Sequence, residues 1–312
     1  MLNDFKNPKD IALNFKIRKV KLVYFSGTGG TARIANYIEQ SLESYGMEVK
    51  KESLNEKEIG GFNFEFVKEH EYKDLLIIVY AVHAFDAPEP IYNWIQKIKL
   101  GNNIPVAVIS VSGGGEVWPN TACRSSCISA LERKGFIVFY ERMIVMPSNW
   151  ITSTKEQLAI RLLKILPSKL DSTVSEILSG VVRRSKPKIS AKFISLIFKL
   201  EKPCAKIFAK DFRVRKTCTG YGWCARNCPR LNIEIKDCRP SFGWKCIACL
   251  RCIYGCPQKS IFTRVFSFVV VKEGYDLKKL EERMDSIDLE PIENHAVGYL
   301  YAGVSDYLLS DK

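Results

Sequence analysis

The chain has 312 residues, 47 Lys and Arg against 34 Asp and Glu, a formal net charge of +13 and eleven cysteines. At about 150 residues per domain there is room for two domains, and a hydrophobic fraction of 46% with 26% charged residues excludes a disordered chain. The charge is concentrated: residues 181–217 hold twelve Lys/Arg against two Asp/Glu, so the excess reads as one basic segment. No run approaches the roughly 18 apolar residues that cross a bilayer. The first ten residues are polar and lack an apolar h-region. Eleven cysteines without an export signal point to metal or redox chemistry in a reducing cytoplasm, not to a disulfide framework.

Residues 19–25 (KVKLVYF), 75–80 (LLIIVY), 104–111 (IPVAVISV) and 136–145 (FIVFYERMIV) are rich in β-branched and aromatic side chains and predict buried strands, with a weaker strand at 48–52. Ile34, Ile38 and Leu42 recur at helical spacing, as do Ile91, Ile95 and Ile98, and Leu131 continues a third helix after Thr121. This alternation predicts an α/β fold: a doubly wound, five-stranded parallel sheet covered on both faces. Residues 154–180 are helical in pattern, with Pro167 as an interruption. In the basic segment Ile189, Phe193, Leu196, Ile197 and Leu200 share one helical face, Lys188, Lys192 and Lys199 lie around its sides, and Pro203 stops it. The composition then changes to closely spaced cysteines over 211–262. The tail holds an alternating stretch (Phe266, Phe268, Val270) and a charged helical stretch at 277–284.

Cys246-x-x-Cys249-x-x-Cys252-x-x-x-Cys256-Pro257 has the bacterial [4Fe-4S] spacing, in which three thiolates of one loop hold a cluster and the fourth, before proline, ligates a different one. The required partner lies upstream. Cys218-x-x-Tyr221-x-x-Cys224-x-x-x-Cys228-Pro229 repeats the spacing, with Tyr221 in place of the second cysteine. Crossing the ligands assigns Cys228, Cys246, Cys249 and Cys252 to a complete [4Fe-4S] cluster. Cys218, Cys224 and Cys256 remain for a second site, a [3Fe-4S] or labile [4Fe-4S] cluster, with Cys204 or Cys238 as the alternative fourth thiolate. Zinc is the other reading of clustered cysteines, but it closes a four-ligand site and has no use for crossed Cys-Pro pairs.

Ser26, Gly27, Thr28, Gly29, Gly30 and Thr31 follow the first strand and open the first helix, where backbone N–H groups and the helix N-terminus favour a phosphate. Walker A chemistry needs a lysine that this turn lacks. Gly27-x-Gly29-x-x-Ala32 with Glu52 about twenty residues on matches a dinucleotide fingerprint. The alternating hydroxyls instead suit a terminal monophosphate that needs many donors, which favours FMN over NAD.

On these residues the segment 20–150 resembles a flavodoxin, and 211–262 resembles a two-cluster bacterial ferredoxin. The order of parts resembles the flavodoxin–ferredoxin fusion proteins of anaerobic bacteria and archaea; the loop VSGGGE at 111–116, MPSNW at 146–150 and the basic linker are further matches. The resemblance implies an N-terminal extension (1–19), an FMN domain (20–180), a basic amphipathic linker (181–210), a small α+β iron–sulfur domain (211–265) and a C-terminal extension (266–312). It implies a flavin ring between the loops 81–90 and 112–120. His83, Phe85 and Trp118 would cover the ring, and Ser112, Gly113, Gly114 and Gly115 would meet its polar edge. Gly30 stands where the family often carries Asn, which implies a lost contact to FMN.

The bland readings stand beside these. His83 is read as a loop residue before an acid–base catalyst, Phe85 and Trp118 also suit ordinary packing, and Cys123 and Cys127 read as small buried residues. The basic segment is a solvated linker, or a docking face for an acidic redox partner or an anionic membrane. Nucleic acid ranks below these because the charges flank an apolar stripe and no reader motif accompanies them. The reading that results is an electron-transfer protein coupling FMN to iron–sulfur clusters, with no residue assigned to catalysis. Its alternatives are a flavin-dependent reductase and a flavin-free iron–sulfur sensor or binding module.

Overall fold

A computed structural model describes residues 17–55, 74–198 and 201–310. β1 (Lys19–Phe25), β2 (Glu48–Ser53), β3 (Leu75–Ala81), β4 (Pro105–Ser112) and β5 (Ile137–Val145) form one parallel sheet in the order β2-β1-β3-β4-β5. Each predicted strand is met to within one residue at either end. The apolar runs at 22–25 of β1, 75–81 of β3 and 105–109 of β4 exist because both faces are covered. On one face α1 (Gly30–Ser44) sets Ile34, Ile38 and Leu42 against Leu22, Ile77 and Ile109. On the other, α2 (Glu89–Lys97) and α3 (Ser125–Arg133) set Ile91, Ile95 and Leu131 against Val23, Ile78 and Val108. This is the doubly wound α/β fold that the alternation implies.

α4 (Glu156–Leu178) runs through Pro167 without a break, contrary to expectation. The proline removes one N–H from the helix, but Leu163, Leu170, Val174 and Ile177 bury into the core beside α1 on both sides of it, and that burial outweighs one lost bond. Beyond α4 the chain returns along the sheet edge, where the backbone of Arg183 exchanges hydrogen bonds with Phe139 and Glu141 and covers β5. α5 (Ile189–Phe198) and α6 (Glu201–Phe208) follow. Pro203 lies inside the first turn of α6, a position that needs no N–H donor, and so it does not end helical structure as expected. The lysine expected at 199 and the leucine at 200 lie outside the described residues.

The cysteine-rich part is built on two small antiparallel pairs. β6 (Phe212–Val214) pairs with β9 (Ile261–Thr263), and β7 (Ile233–Lys236) with β8 (Arg239–Phe242). Two one-turn helices, α7 (Trp223–Arg226) and α8 (Arg251–Tyr254), pack between them. Phe208, Phe212, Ile233, Ile253, Ile261 and Val269 close its core. The tail does not stand apart. The alternating stretch forms a 3-10 turn (Ser267–Val269), α9 (Leu277–Arg283) packs on α4, and Arg33 of α1 forms a two-pronged ion pair with Glu281 at 2.7 and 2.9 Å. The last helix, α10 (Tyr299–Leu309), also packs on α4. Among the described residues no helix is long and apolar enough to cross a membrane.

Candidate functional site

The glycine turn connects β1 to α1. Gly29 caps the helix in the left-handed region (φ 105°), which a side chain there would strain, and leaves the first N–H groups of α1 pointing into the turn. Ser26 Oγ accepts from the Ala32 N–H at 3.2 Å, and Asn149 Nδ2 donates to Thr28 Oγ1 at 2.8 Å. Over Gly30 stands the Tyr275 hydroxyl, 3.4 Å from where a β-carbon would lie and hydrogen-bonded to Thr28. Burial pushes the Tyr275 phenol well above its ordinary range, so it is a neutral hydroxyl.

A cavity of about 580 Å³ opens beside this turn, in the range of small-molecule sites. Ser26, Gly27, Thr28, Gly30, Thr31, His83, Phe85, Ser112, Gly113, Gly114 and Trp118 line it; Gly29 and Gly115 stand behind the lining. His83 and Asp86 close a tight turn by mutual backbone hydrogen bonds of 2.9 and 3.0 Å, which raises Ala84 and Phe85 in the left-handed region. Across the cavity Ser112 Oγ accepts from the Gly114 N–H (3.2 Å) and from Asn120 Nδ2 (2.8 Å), which holds the glycine loop in shape. Glu52 does not stand ready for a ribose: its carboxylate is ion-paired with Lys21 at 2.6 Å within the sheet.

Three walls come from residues that the sequence did not place at this cavity. The segment 147–150 forms one side. Tyr275, Tyr299 and Tyr301 from the tail form another. Gly303 of α10 lies so close to Gly114 and Gly115 that a β-carbon on Gly303 or Gly115 would overlap the opposing backbone, and the Tyr299 and Tyr301 hydroxyls donate to the carbonyls of Trp118 (2.5 Å) and Ser153 (3.0 Å). The third wall is Ile247, Ala248 and Cys249 of the cysteine loop. A β-carbon on Gly27 would stand 2.9 Å from the Cys249 β-carbon, so the glycine turn and the cysteine loop touch.

The two cysteine runs are structural repeats. Cys224 and Cys252 each sit in a one-turn helix whose N-cap, Gly222 or Leu250, is left-handed. The Asn232 N–H donates to Cys228 Sγ, and the Ser260 N–H at the matching position donates to Cys256 Sγ, both at 3.3 Å. Burial raises the Cys246 thiol to about 12 and the Cys249 thiol to about 11, and Cys228 adds to both. Cys252, raised first by burial, next feels Cys249, Cys246, Cys228 and Cys224. Cys224, raised by burial, feels Cys256 and Cys218. Among the described residues no three His, Cys, Asp or Glu side chains converge tightly enough to hold a single metal ion.

Tyr221, in the place of Cys249, is 65% exposed and lies under the Arg226 guanidinium at 4.4 Å, away from the cavity. Cys238 is exposed at the β7–β8 turn, its backbone against Gly220, and Cys204 is exposed on α6. Cys123 and Cys127 are buried beside the sheet.

The strand order and the loops that gather at its carboxyl edge define a flavodoxin-like α/β domain. No known family model matches the chain, and no curated protein matches it. Solved structures similar to it include a flavodoxin of Megasphaera elsdenii (21% identity, covering 40% of this chain and 85% of that one, TM-score 0.32). Flavodoxin 2 from Bacillus cereus is 17% identical over 52% of this chain and 97% of its own, with a TM-score of 0.36. Rubredoxin oxygen:oxidoreductase from Desulfovibrio gigas is 16% identical over 52% of this chain and 36% of its own, with a TM-score of 0.37. These likenesses concern the sheet half of the chain alone.

Proposed function

We propose that this chain is an electron-transfer protein in which FMN in the cavity exchanges electrons with iron–sulfur clusters held by the two cysteine sets. Contact between the glycine turn and the cysteine loop carries the reading, because Gly27 packs on Cys249 and residues 247–249 wall the cavity. FMN supplies two-electron and one-electron exchange and a cluster supplies one-electron exchange, so walls shared at van der Waals distance suit transfer between them. Cys228, Cys246, Cys249 and Cys252 would hold a [4Fe-4S] cluster. Cys218, Cys224 and Cys256 would hold a [3Fe-4S] or labile [4Fe-4S] cluster. The N–H donors to Cys228, Cys246 and Cys256 suit anionic sulfur.

The chain's own residues divide the work at the cavity. Ser26, Thr28, Thr31 and the N–H groups opening α1 would bind the phosphate, and Tyr275 adds a hydroxyl over Gly30. His83, Phe85 and Trp118 would flank the ring, with Gly113 and Gly114 at its polar edge. The tail tyrosines restrict water and substrate access from their side, which favours a carrier over a reductase. Anaerobic purification with flavin, iron and sulfide measured together tests this, with an expected yield of about one FMN and seven to eight irons per chain. EPR of the oxidised protein separates a three-iron centre, which gives a signal, from two four-iron centres, which do not. Protein that carries clusters yet neither retains nor rebinds FMN would overturn the proposal in favour of a flavin-free iron–sulfur module.

A further inference from the structure

α5 itself contributes no residue to the cavity lining. α5 is seated by its inner face: Ala191 is fully buried, and the buried Ser195 donates to the Phe85 carbonyl at 2.8 Å. Its outer face carries Ile189, Phe193 and Ile197 at spacing i, i+4, i+8, with exposures of 85%, 61% and 45%. Small residues, Ala191 and Ser195, are turned in, while Ile189, Phe193 and Ile197 are turned out, the reverse of the usual order for those positions of a surface helix. Lys188 and Lys192 are exposed along one flank and Lys186 just precedes the helix, while residues 181–198 contain no acid. In α6, Lys206 and Ile207 continue the same exposed pairing.

We propose that α5 docks the protein on an anionic lipid bilayer. Ile189, Phe193 and Ile197 enter the headgroup boundary, and Lys186, Lys188 and Lys192 lie over the acidic headgroups. Charge selects the occupant. A second copy would bring the same cations against themselves, whereas an anionic bilayer offers both negative charge and an apolar layer for three aligned side chains. Long lysine stems suit this position because they reach headgroups while the stripe is immersed. Since α5 rests on Phe85 and on the 3-10 turn Asn120–Ala122, docking holds one margin of the cavity close to the membrane. The surface stands independently of what the cavity binds.

Flotation of the purified full-length protein with vesicles tests the proposal. Binding is expected at low salt to phosphatidylcholine containing a quarter phosphatidylglycerol, and not to phosphatidylcholine alone. Phe193→Asp should lower partitioning about tenfold or more, and Lys188→Gln with Lys192→Gln about fivefold per charge removed, with near-UV circular dichroism unchanged. Phe193→Trp should bind normally and be quenched by brominated lipid. Failure of the unaltered protein to bind anionic vesicles overturns the proposal, as does binding that Phe193→Asp leaves intact. So does a dimer, seen by sedimentation without vesicles, that Phe193→Asp dissociates.

Discussion

Tyr275 shows how one side chain can complete a site that its own segment does not announce. It lies far from the glycine turn in sequence, yet its hydroxyl stands over Gly30 and bonds Thr28. The space that a side chain on Gly30 would enter is thus faced by one from the tail. Tyr275→Phe removes a single hydroxyl at nearly constant volume. It is expected to weaken FMN binding to the apoprotein by up to about tenfold, the worth of one hydrogen bond, as read by fluorescence titration; unchanged affinity would remove Tyr275 from the phosphate site. Arg124 illustrates the opposite case, a buried residue with a structural task. It is 1% exposed and reaches Glu141 and Glu116 at 2.7 Å and Ser110 at 2.9 Å. Arg124→Ala would leave Glu141 buried with reduced compensation. A loss of about 3–5 kcal/mol is expected in urea unfolding.

At the scale of elements, α8 joins the cysteine-rich part to the sheet domain. Its last residue, Tyr254, donates to the Asn149 carbonyl at 2.7 Å and accepts the Val271 N–H at 2.9 Å, while Arg230 reaches Glu89 of α2 at 2.8 Å. Tyr254→Phe strands two backbone groups and is expected to cost about 1–3 kcal/mol in urea unfolding. The pH dependence has a definite sign. Burial raises the Tyr254 phenol to about 12 from an ordinary value near 10. Its stabilisation is complete below pH 10 and is lost as pH rises through 12. The stability gap between the unaltered protein and Tyr254→Phe should therefore narrow from pH 10 to 12; a constant gap would show that the phenol titrates alike in both states. Element boundaries were readable wherever one period dominated, as in β1 or α1. They failed at Pro167 and Pro203, because a proline's effect depends on its place in the helix and on the burial around it.

At the scale of the whole molecule, the cavity draws on the glycine turn, the loops after β3 and β4, the cysteine loop and the tail. Order in the cysteine loop should therefore be coupled to affinity at the glycine turn. Stripping iron with a chelator under denaturant-free conditions is expected to weaken FMN binding about fivefold or more; identical affinities with and without iron would show that residues 247–249 are passive. The sequence by itself determined the strand–helix alternation, the glycine turn after β1 and the paired cysteine spacing, since each rests on residues that are neighbours in the chain and share one local geometry. Only the tertiary structure decided that Cys249 meets Gly27, that tail tyrosines line the cavity, and that α5 turns Ile189, Phe193 and Ile197 outward. Those are contacts, or missing contacts, between segments whose separation leaves no periodic mark. Which face of an amphipathic helix is buried depends on the surface it meets, and that surface is built by the rest of the chain.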